Sequence, residues 1–277
     1  MNVATRRNGD YLEAPAADRK RPVIWLLLDG RPGHDTQVIG LANRLEGEIE
    51  RKRLDFTLLN YIPNPLLGSS LASLTRQSRA SLAAPPPDLV IGMGRRVVPA
   101  ARWIRRQAIG RTRVVLLGRK VATGDDPDEH RIRLAHFGQP PSTHESVLLL
   151  PPTQVDRQAL DRLRAESADP MPEMARPHIL LLVGGPTAHH HFDADFANRM
   201  AREVADASAR AGGGLAIVTS RRTPPAAVAA MREAAPAAHL HEWRADRQAN
   251  PYLSYLAHAD LIVVTGESES MLAEAAA

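Results

Sequence analysis

The chain has no cysteine among its 277 residues. That removes disulfides, thiolate metal ligation and cysteine nucleophiles together, and it fits a reducing cytosol. Aromatic residues make up only 4% of the total, so the cores must be built mainly from Leu, Val, Ile and Ala. Lysine is nearly absent: Lys20, Lys52 and Lys120 are the three present, and arginine supplies the rest of the 35 basic residues. Arginine forks suit phosphate and carboxylate better than lysine does, although an arginine-favouring codon bias explains the composition as simply. The net charge of +4 is too small to argue for nucleic acid. Long apolar runs are also missing, since Val23–Leu28 falls far short of a membrane span. Residues 1–21 are polar and mixed in charge with no apolar segment, so they read as a disordered tail and not as a signal peptide. These absences predict a soluble cytoplasmic protein.

What is present is a strand, turn and helix order repeated along a length that suits two domains. Pro22–Asp29 reads as a first strand, followed by the turn Gly30–His34 and a helix capped by Asp35 or Thr36 that runs to about Leu45. Arg51–Leu59 reads as a second strand, and the leucine spacing predicts a helix over Asn64–Ala83. Leu89–Ile91, a helix from about Val98 to Gln107 and the strand Thr112–Leu117 continue the pattern. Gly124–Glu129 reads as an acidic loop, Ser146–Leu150 as the last strand of the first domain, and Thr153–Glu166 as a connecting helix. Ser167–Pro177, with three prolines, is the best linker. A second α/β unit then restarts. It comprises the strand Ile179–Val183, the helix Asp193–Arg210, the strand Leu215–Thr219 and the helix Pro225–Ala234. A strand at Leu240–Trp243, a helix from Asn250-Pro-Tyr252 to His258, the strand Leu261–Val264 and a helix from about Ser270 follow. The domains are therefore 22–152, with 153–177 connecting, and 178–277.

The strand ends carry the chemistry. Gly33-His34 brings an imidazole to the carboxyl end of a parallel sheet, as a general base or phosphate contact, or simply as a turn histidine bonded to its own helix. Gly92-Met-Gly94-Arg95 lets a substrate approach the backbone with Arg95 gripping an anion, or is a tight turn with solvated arginines. Gly184-Gly185 with Thr187 repeats that logic, with a plain turn as the alternative. Ser220-Arg221-Arg222-Thr223 precedes a helix start and unites two guanidiniums with two hydroxyls, which reads as an anion site before it reads as arginines solvating a sheet edge. Thr265-Gly266-Glu267-Ser268 joins a buried strand to a helix start suited to diphosphate, with Glu274 one turn on and able to accept from a ribose hydroxyl. His189–His191 cannot all face one metal from a single element and read as an exposed loop. Arg102, Arg105 and Arg106 share a helix surface that reads as a solvated face before it reads as a lipid contact.

Several of these stretches stand in one order. They are Asp29-Gly-Arg-Pro-Gly-His34 with Gln37, Pro87–Arg96, Ser220–Pro224, Asn250-Pro-Tyr252, and Ala259–Thr265 with Ser268, Ser270, Met271 and Glu274. Together they resemble the mitochondrial-fission Elm family over roughly residues 22–277. That family is similar to GT-B glycosyltransferases, particularly the one that adds N-acetylglucosamine to lipid-linked muramyl peptide. The resemblance implies two Rossmann-like domains facing across a cleft. Gly33, His34, Gln37, Gly94 and Arg95 would lie on the acceptor side, with His34 as the base. Gly184, Gly185, Thr187, Ser220, Arg221, Arg222, Thr223, Thr265, Gly266, Ser268 and Glu274 would lie on the donor side. The implied co-substrate is a nucleotide-diphosphate sugar, with no permanently bound cofactor and no metal, because basic groups stabilise the departing diphosphate. The implied acceptor is lipid-linked, met by a peripheral protein at the inner membrane. A non-catalytic partner-binding protein and a sugar-nucleotide epimerase are the rival readings.

Two departures from the family's pattern stand out. Between about Asp126 and Ser146 a strand and a His-Asp pair are expected, where the sequence reads His136-Phe-Gly-Gln-Pro-Pro141. The Gly-x-Pro segment and closing helices expected after Glu274 are also missing, which reads as a second domain cut short.

Overall fold

Two strands organise the molecule, because each is apolar along nearly its whole length. The computed structural model describes residues 21–118, 129–138, 143–245 and 251–277. The first strand, β1 (Val23–Leu28), is buried at every position after Val23. A strand buried on both faces needs a layer of helices on each side. Trp25 and Leu27 pack with Val98, Ala101 and Ile104 of helix α4 (Val98–Gln107). Ile24, Leu26 and Leu28 pack with Val38 and Ala42 of helix α1 (Pro32–Ala42) on the other face. The remaining strands of this sheet are β2 (Glu48–Arg53), β3 (Leu89–Met93), β4 (Arg113–Leu117), β5 (Glu129–Leu134) and β6 (Glu145–Leu148). They pair in parallel in the order β2-β1-β3-β4-β5-β6.

After helix α5 (Arg157–Glu166) the second sheet forms on β7 (His178–Val183), all six residues of which are buried. Ile179, Leu181 and Val183 meet α6 (Ala194–Arg210) and α7 (Pro225–Ala234) through Ala197, Ala201, Val228 and Met231. Leu180 and Leu182 meet Tyr255 and Leu256 of α8 (Tyr252–His258). With β8 (Gly214–Thr219), β9 (His239–His241) and β10 (Leu261–Val264), the parallel order is β10-β7-β8-β9. A last helix, α9 (Glu269–Ala275), follows β10. The architecture is α/β with two parallel sheets, as the strand–turn–helix order predicts.

Several local expectations are corrected. Helix α1 starts at Pro32 and not at Asp35 or Thr36, because the proline ring presets the first helical turn and needs no N–H there. Strand β2 ends at Arg53, and Leu58–Tyr61 is a 3-10 turn instead of strand. The helix expected over 64–83 is two short ones, α2 (Asn64–Leu67) and α3 (Arg76–Ser81). Gly68, at φ +57°, turns the chain out of α2, and Phe56 bridges Leu74 before Thr75 caps α3. The sequence between 124 and 128, the tail 1–20, Lys120, Pro140, Pro141 and Asn250 lie outside the described residues.

Strand β5 reads poorly as a strand because it buries charge. Glu129, Arg131 and Arg133 are all buried. Glu129 bonds Arg102 of α4 in a fork and accepts from Arg131 at 3.2 Å, and Arg133 reaches Glu145 of β6 at 3.3 Å. The 153–177 stretch packs on the second sheet, through Val155, Leu160, Met171 and Met174. It also touches the first domain, where Asp156 pairs with Arg44 at 3.4 Å and the Thr153 backbone lies against Gly40.

Removing one partner from a buried ion cluster strands the others without compensation. Glu129→Ala is therefore expected to lower unfolding stability by about 3 kcal/mol, read by urea denaturation. Replacing the exposed Glu46 in the same way should leave the midpoint unchanged.

Candidate functional site

Each sheet has one place where the chain reverses direction across it. From β1 the chain moves to β2 on one side and returns to β3 on the other. From β7 it moves to β8 and returns, after β9, to β10 on the opposite flank. The loops leaving such paired strands diverge and open a crevice at their carboxyl ends, where α/β proteins bind ligands.

In the first domain that crevice holds Asp29 and His34 after β1, and Gly94 and Arg95 after β3. Asp29 Oδ2 lies 3.0 Å from His34 Nδ1, and Asp29 Oδ1 accepts the Arg31 N–H at 3.2 Å. Burial raises the Asp29 carboxyl. The hydrogen bond and charge of His34, the Arg31 N–H and the Arg31 guanidinium outweigh burial and hold it below the usual carboxylate range. An anionic Asp29 selects the Nδ1–H tautomer of His34 and leaves Nε2 as the basic nitrogen. The His34 ring sits over Gly94, where an added Cβ would come within 2.8 Å of Cε1 and where φ is +79°. Glycine is thus required there twice, for space and for backbone. Gly33 is exposed in the first turn of α1.

Arg95 has another occupation than the anion grip expected of it. Its guanidinium donates to the carbonyls of Asn60 and Ile62, while the Asn64 side chain donates to the Arg95 carbonyl at 2.9 Å. It anchors the 60–64 loop.

In the second domain three corners converge. Thr265 Oγ1 accepts the Gly184 N–H at 2.9 Å, and Glu267 Oε1 accepts the Gly185 N–H at 2.8 Å. Thr265 also donates to Glu267 at 2.9 Å. Ser220 and Thr223 hydroxyls both donate to the Gly184 carbonyl, at 2.9 and 2.5 Å. Gly185 lies against the backbone carbonyl of Arg222, which leaves no room for a Cβ. Arg221 and Arg222 themselves are exposed. Gly266 is exposed and Ser268 is buried. Helix α7 offers less to an anion than the sequence suggests, because Pro224 and Pro225 remove two of its first N–H groups. Thr187 lies apart, its hydroxyl accepting from the N–H groups of His189 and His190 and bonding the His190 ring.

Glu274 on α9 accepts from the Tyr252 hydroxyl at 2.7 Å. Burial pushes the Glu274 carboxyl above its ordinary value of 4.5, and the Tyr252 bond only partly opposes this. Burial and Glu274 push the Tyr252 phenol up as well, so it remains a donor.

The carboxyl end of the first sheet meets the start of α9. Gln37, Met93, Leu117 and Leu134 from the first domain line one small cavity with Pro152 and Glu269. His136, just beyond β5, pairs with Glu269 at 3.1 Å. Asp29, Tyr252, Glu267 and Glu269 thus join the candidate residues. None of the four had a role of its own by sequence; the five-residue spacing from Asp29 to His34 was the one local signal available, and the other three needed the fold. Among the described residues no cluster of three or more His, Asp or Glu could hold a metal, and no helix is long and apolar enough to cross a membrane.

Fold and site together define an α/β protein of two parallel sheets, each with a switch-point crevice at the carboxyl ends of its strands. The chain belongs to the family described as Mitochondrial fission ELM1, whose profile matches residues 32–122 and 135–277. It is 31% identical over 85 residues to an uncharacterised protein of Rickettsia prowazekii (strain Madrid E), covering 30% of this chain and 24% of that one. It is 25% identical over 138 residues to the mitochondrial fission protein ELM1 of Arabidopsis thaliana, covering 50% of this chain and 32% of that protein. The matched segments therefore span no more than 32% of the length of either relative.

Two measurements test this geometry. Gly185→Ala forces a methyl into the Arg222 backbone and should cost about 1–3 kcal/mol, read as a lowered unfolding midpoint. Glu274 has a raised carboxyl pKa in the folded state, so its stabilising contribution is complete below about pH 4.5 and is lost as pH rises through the folded value. Glu274→Gln should therefore raise the melting temperature at pH 7–8, and the gain should vanish in acid; a gain that persists below pH 4 would contradict the shift.

Proposed function

We propose that the cleft is a GT-B-type transfer site, with a nucleotide-diphosphate sugar on the second domain and an acceptor on the first. Two observations support this reading: each sheet has a switch-point crevice, at β1/β3 and at β7/β10, and the carboxyl end of the first sheet meets α9, where His136 pairs with Glu269. A transfer reaction needs two substrates held face to face, and orientation of this kind supplies much of the rate. His34 Nε2 takes the proton from the acceptor hydroxyl, and Asp29 holds the imidazole in the required tautomer and stabilises the imidazolium. The acceptor oxygen then bonds to the sugar's anomeric carbon as the bond to the diphosphate breaks. Arg221 and Arg222, exposed beside the β7/β8 corner, meet the departing diphosphate. Glu274 and Tyr252 take a ribose hydroxyl.

A lipid-linked acceptor at a membrane surface is supported by a second feature. Leu58, Tyr61 and Leu66 are 83%, 72% and 79% exposed. A groove of about 480 Å³, lined by Asp29, Phe56, Leu58, Tyr61 and Arg96, joins Leu58 and Tyr61 to Asp29. Apolar side chains exposed on neighbouring turns, as on the 58–61 turn and α2, suit contact with a membrane surface.

One observation favours the non-catalytic alternative: the amides of Gly184 and Gly185 are already bonded within the protein. In that reading the surface around the cleft binds a protein partner. A partner captured equally well by the wild type and by the Arg221→Ala, Glu274→Ala double variant would support it.

For the transferase, uridine, guanosine or another nucleoside diphosphate is expected to raise the melting temperature, and Arg221→Ala to abolish the rise. His34→Ala should slow donor cleavage by roughly 10²–10⁴-fold with donor binding retained. No shift with any of the common nucleoside diphosphates would remove the proposal.

A further inference from the structure

The β7/β10 corner contains a carboxylate where an anion would sit. Glu267 Oε1 accepts from the Gly185 N–H at 2.8 Å and from the Thr265 hydroxyl at 2.9 Å. It also lies so close to Gly184 that a Cβ there would overlap it. A main-chain amide, a hydroxyl and a glycine without a side chain are what a phosphate oxygen requires. The same three features seat the Glu267 oxygen. No basic side chain balances Glu267: among the described residues it forms no ion pair, and the bonds that hold it come from an amide and a hydroxyl. The side chain is only partly buried, so packing does not lock it in this seat.

We propose that Glu267 is the specificity-determining residue of this seat: an internal anion that an incoming diphosphate must displace. The inference rests on the reading of the β7/β10 crevice as the donor side and adds to it a residue with an opposing role. Two like charges cannot share the seat, since a phosphate oxygen and the carboxylate would compete for one amide and repel each other at contact distance. Binding therefore exchanges one set of hydrogen bonds for another. A small free anion gains only the bonds that Glu267 gives up. A diphosphate carrying a sugar gains those bonds, the guanidiniums of Arg221 and Arg222, and a hydroxyl that donates to the displaced carboxylate. The seat is thereby closed to small anions and open to a sugar-bearing diphosphate. No covalent step is involved.

Inorganic pyrophosphate is the probe that does not depend on the nucleobase. The expected result is weak binding by the wild type, measured by isothermal titration calorimetry, and binding at least about tenfold tighter by Glu267→Ala, equivalent to about 1.4 kcal/mol. Glu267→Gln keeps an acceptor for the Gly185 N–H and removes the charge. It should fold as the wild type does and fall between the two in affinity. The Gly185 amide resonance should move on adding pyrophosphate to either variant. Wild-type binding that both substitutions leave unchanged or weaken overturns the role of Glu267 while leaving the donor side standing. Failure of the wild type and both variants to bind pyrophosphate or any nucleoside diphosphate overturns the donor side itself, and this inference with it.

Discussion

Everything in this molecule depends on two apolar strands that cannot be left uncovered on either face. Both β1 and β7 are buried on their two sides. A parallel strand in that position must have helices above and below it and a neighbour at each edge. To supply helices on both faces, the chain has to reverse its direction across the sheet. The reversal leaves a crevice at the carboxyl end, whatever residues line it. The site is therefore a by-product of burying Val23–Leu28 and His178–Val183. The candidate residues lie on loops that the core had already placed.

The loops share a second feature, which is the way they hold negative charge. Asp29 is kept ionised by His34 and the Arg31 N–H. Glu267 is held by an amide and a hydroxyl, and Glu274 sits under burial that favours its proton. The basic groups follow a different rule. Arg95 is spent on backbone carbonyls and Arg131 and Arg133 on buried carboxylates, while Arg221 and Arg222 face solvent. In a chain rich in arginine, the useful question is which guanidiniums remain uncommitted. That separation cannot be made from composition, because it depends on which carbonyl or carboxylate lies within reach.

Much of the fold was legible because the signals were local. Apolar runs marked β1, β3, β7, β8 and β10, and Asp193 ahead of Ala194–Arg210 marked the longest helix, whose first turn it caps at 2.8 Å. Strand β5 was obscured because its inward side chains are charged and are neutralised by residues far away in sequence, Arg102 among them. The 64–83 stretch misled for the opposite reason. Its leucines have helical spacing, but Gly68 and the Phe56–Leu74 bridge break the segment, and only tertiary contact makes that bridge. At the site, His34 stood out as a histidine at a strand end, and the three glycine and hydroxyl corners stood out by type. Glu267 did not, since a glutamate in a polar turn carries no mark of the amide it accepts from.

The sequence by itself determined the family, the α/β class and which strand ends carry glycine, hydroxyl and guanidinium groups. These are properties of residue order and local periodicity, and they survive without knowledge of any distance. Tertiary structure alone decided that Thr265 accepts the Gly184 amide and that Glu267 occupies the Gly185 amide. Such facts are set by the crossing of the chain between sheet edges, which brings residues separated by some eighty positions to hydrogen-bond distance.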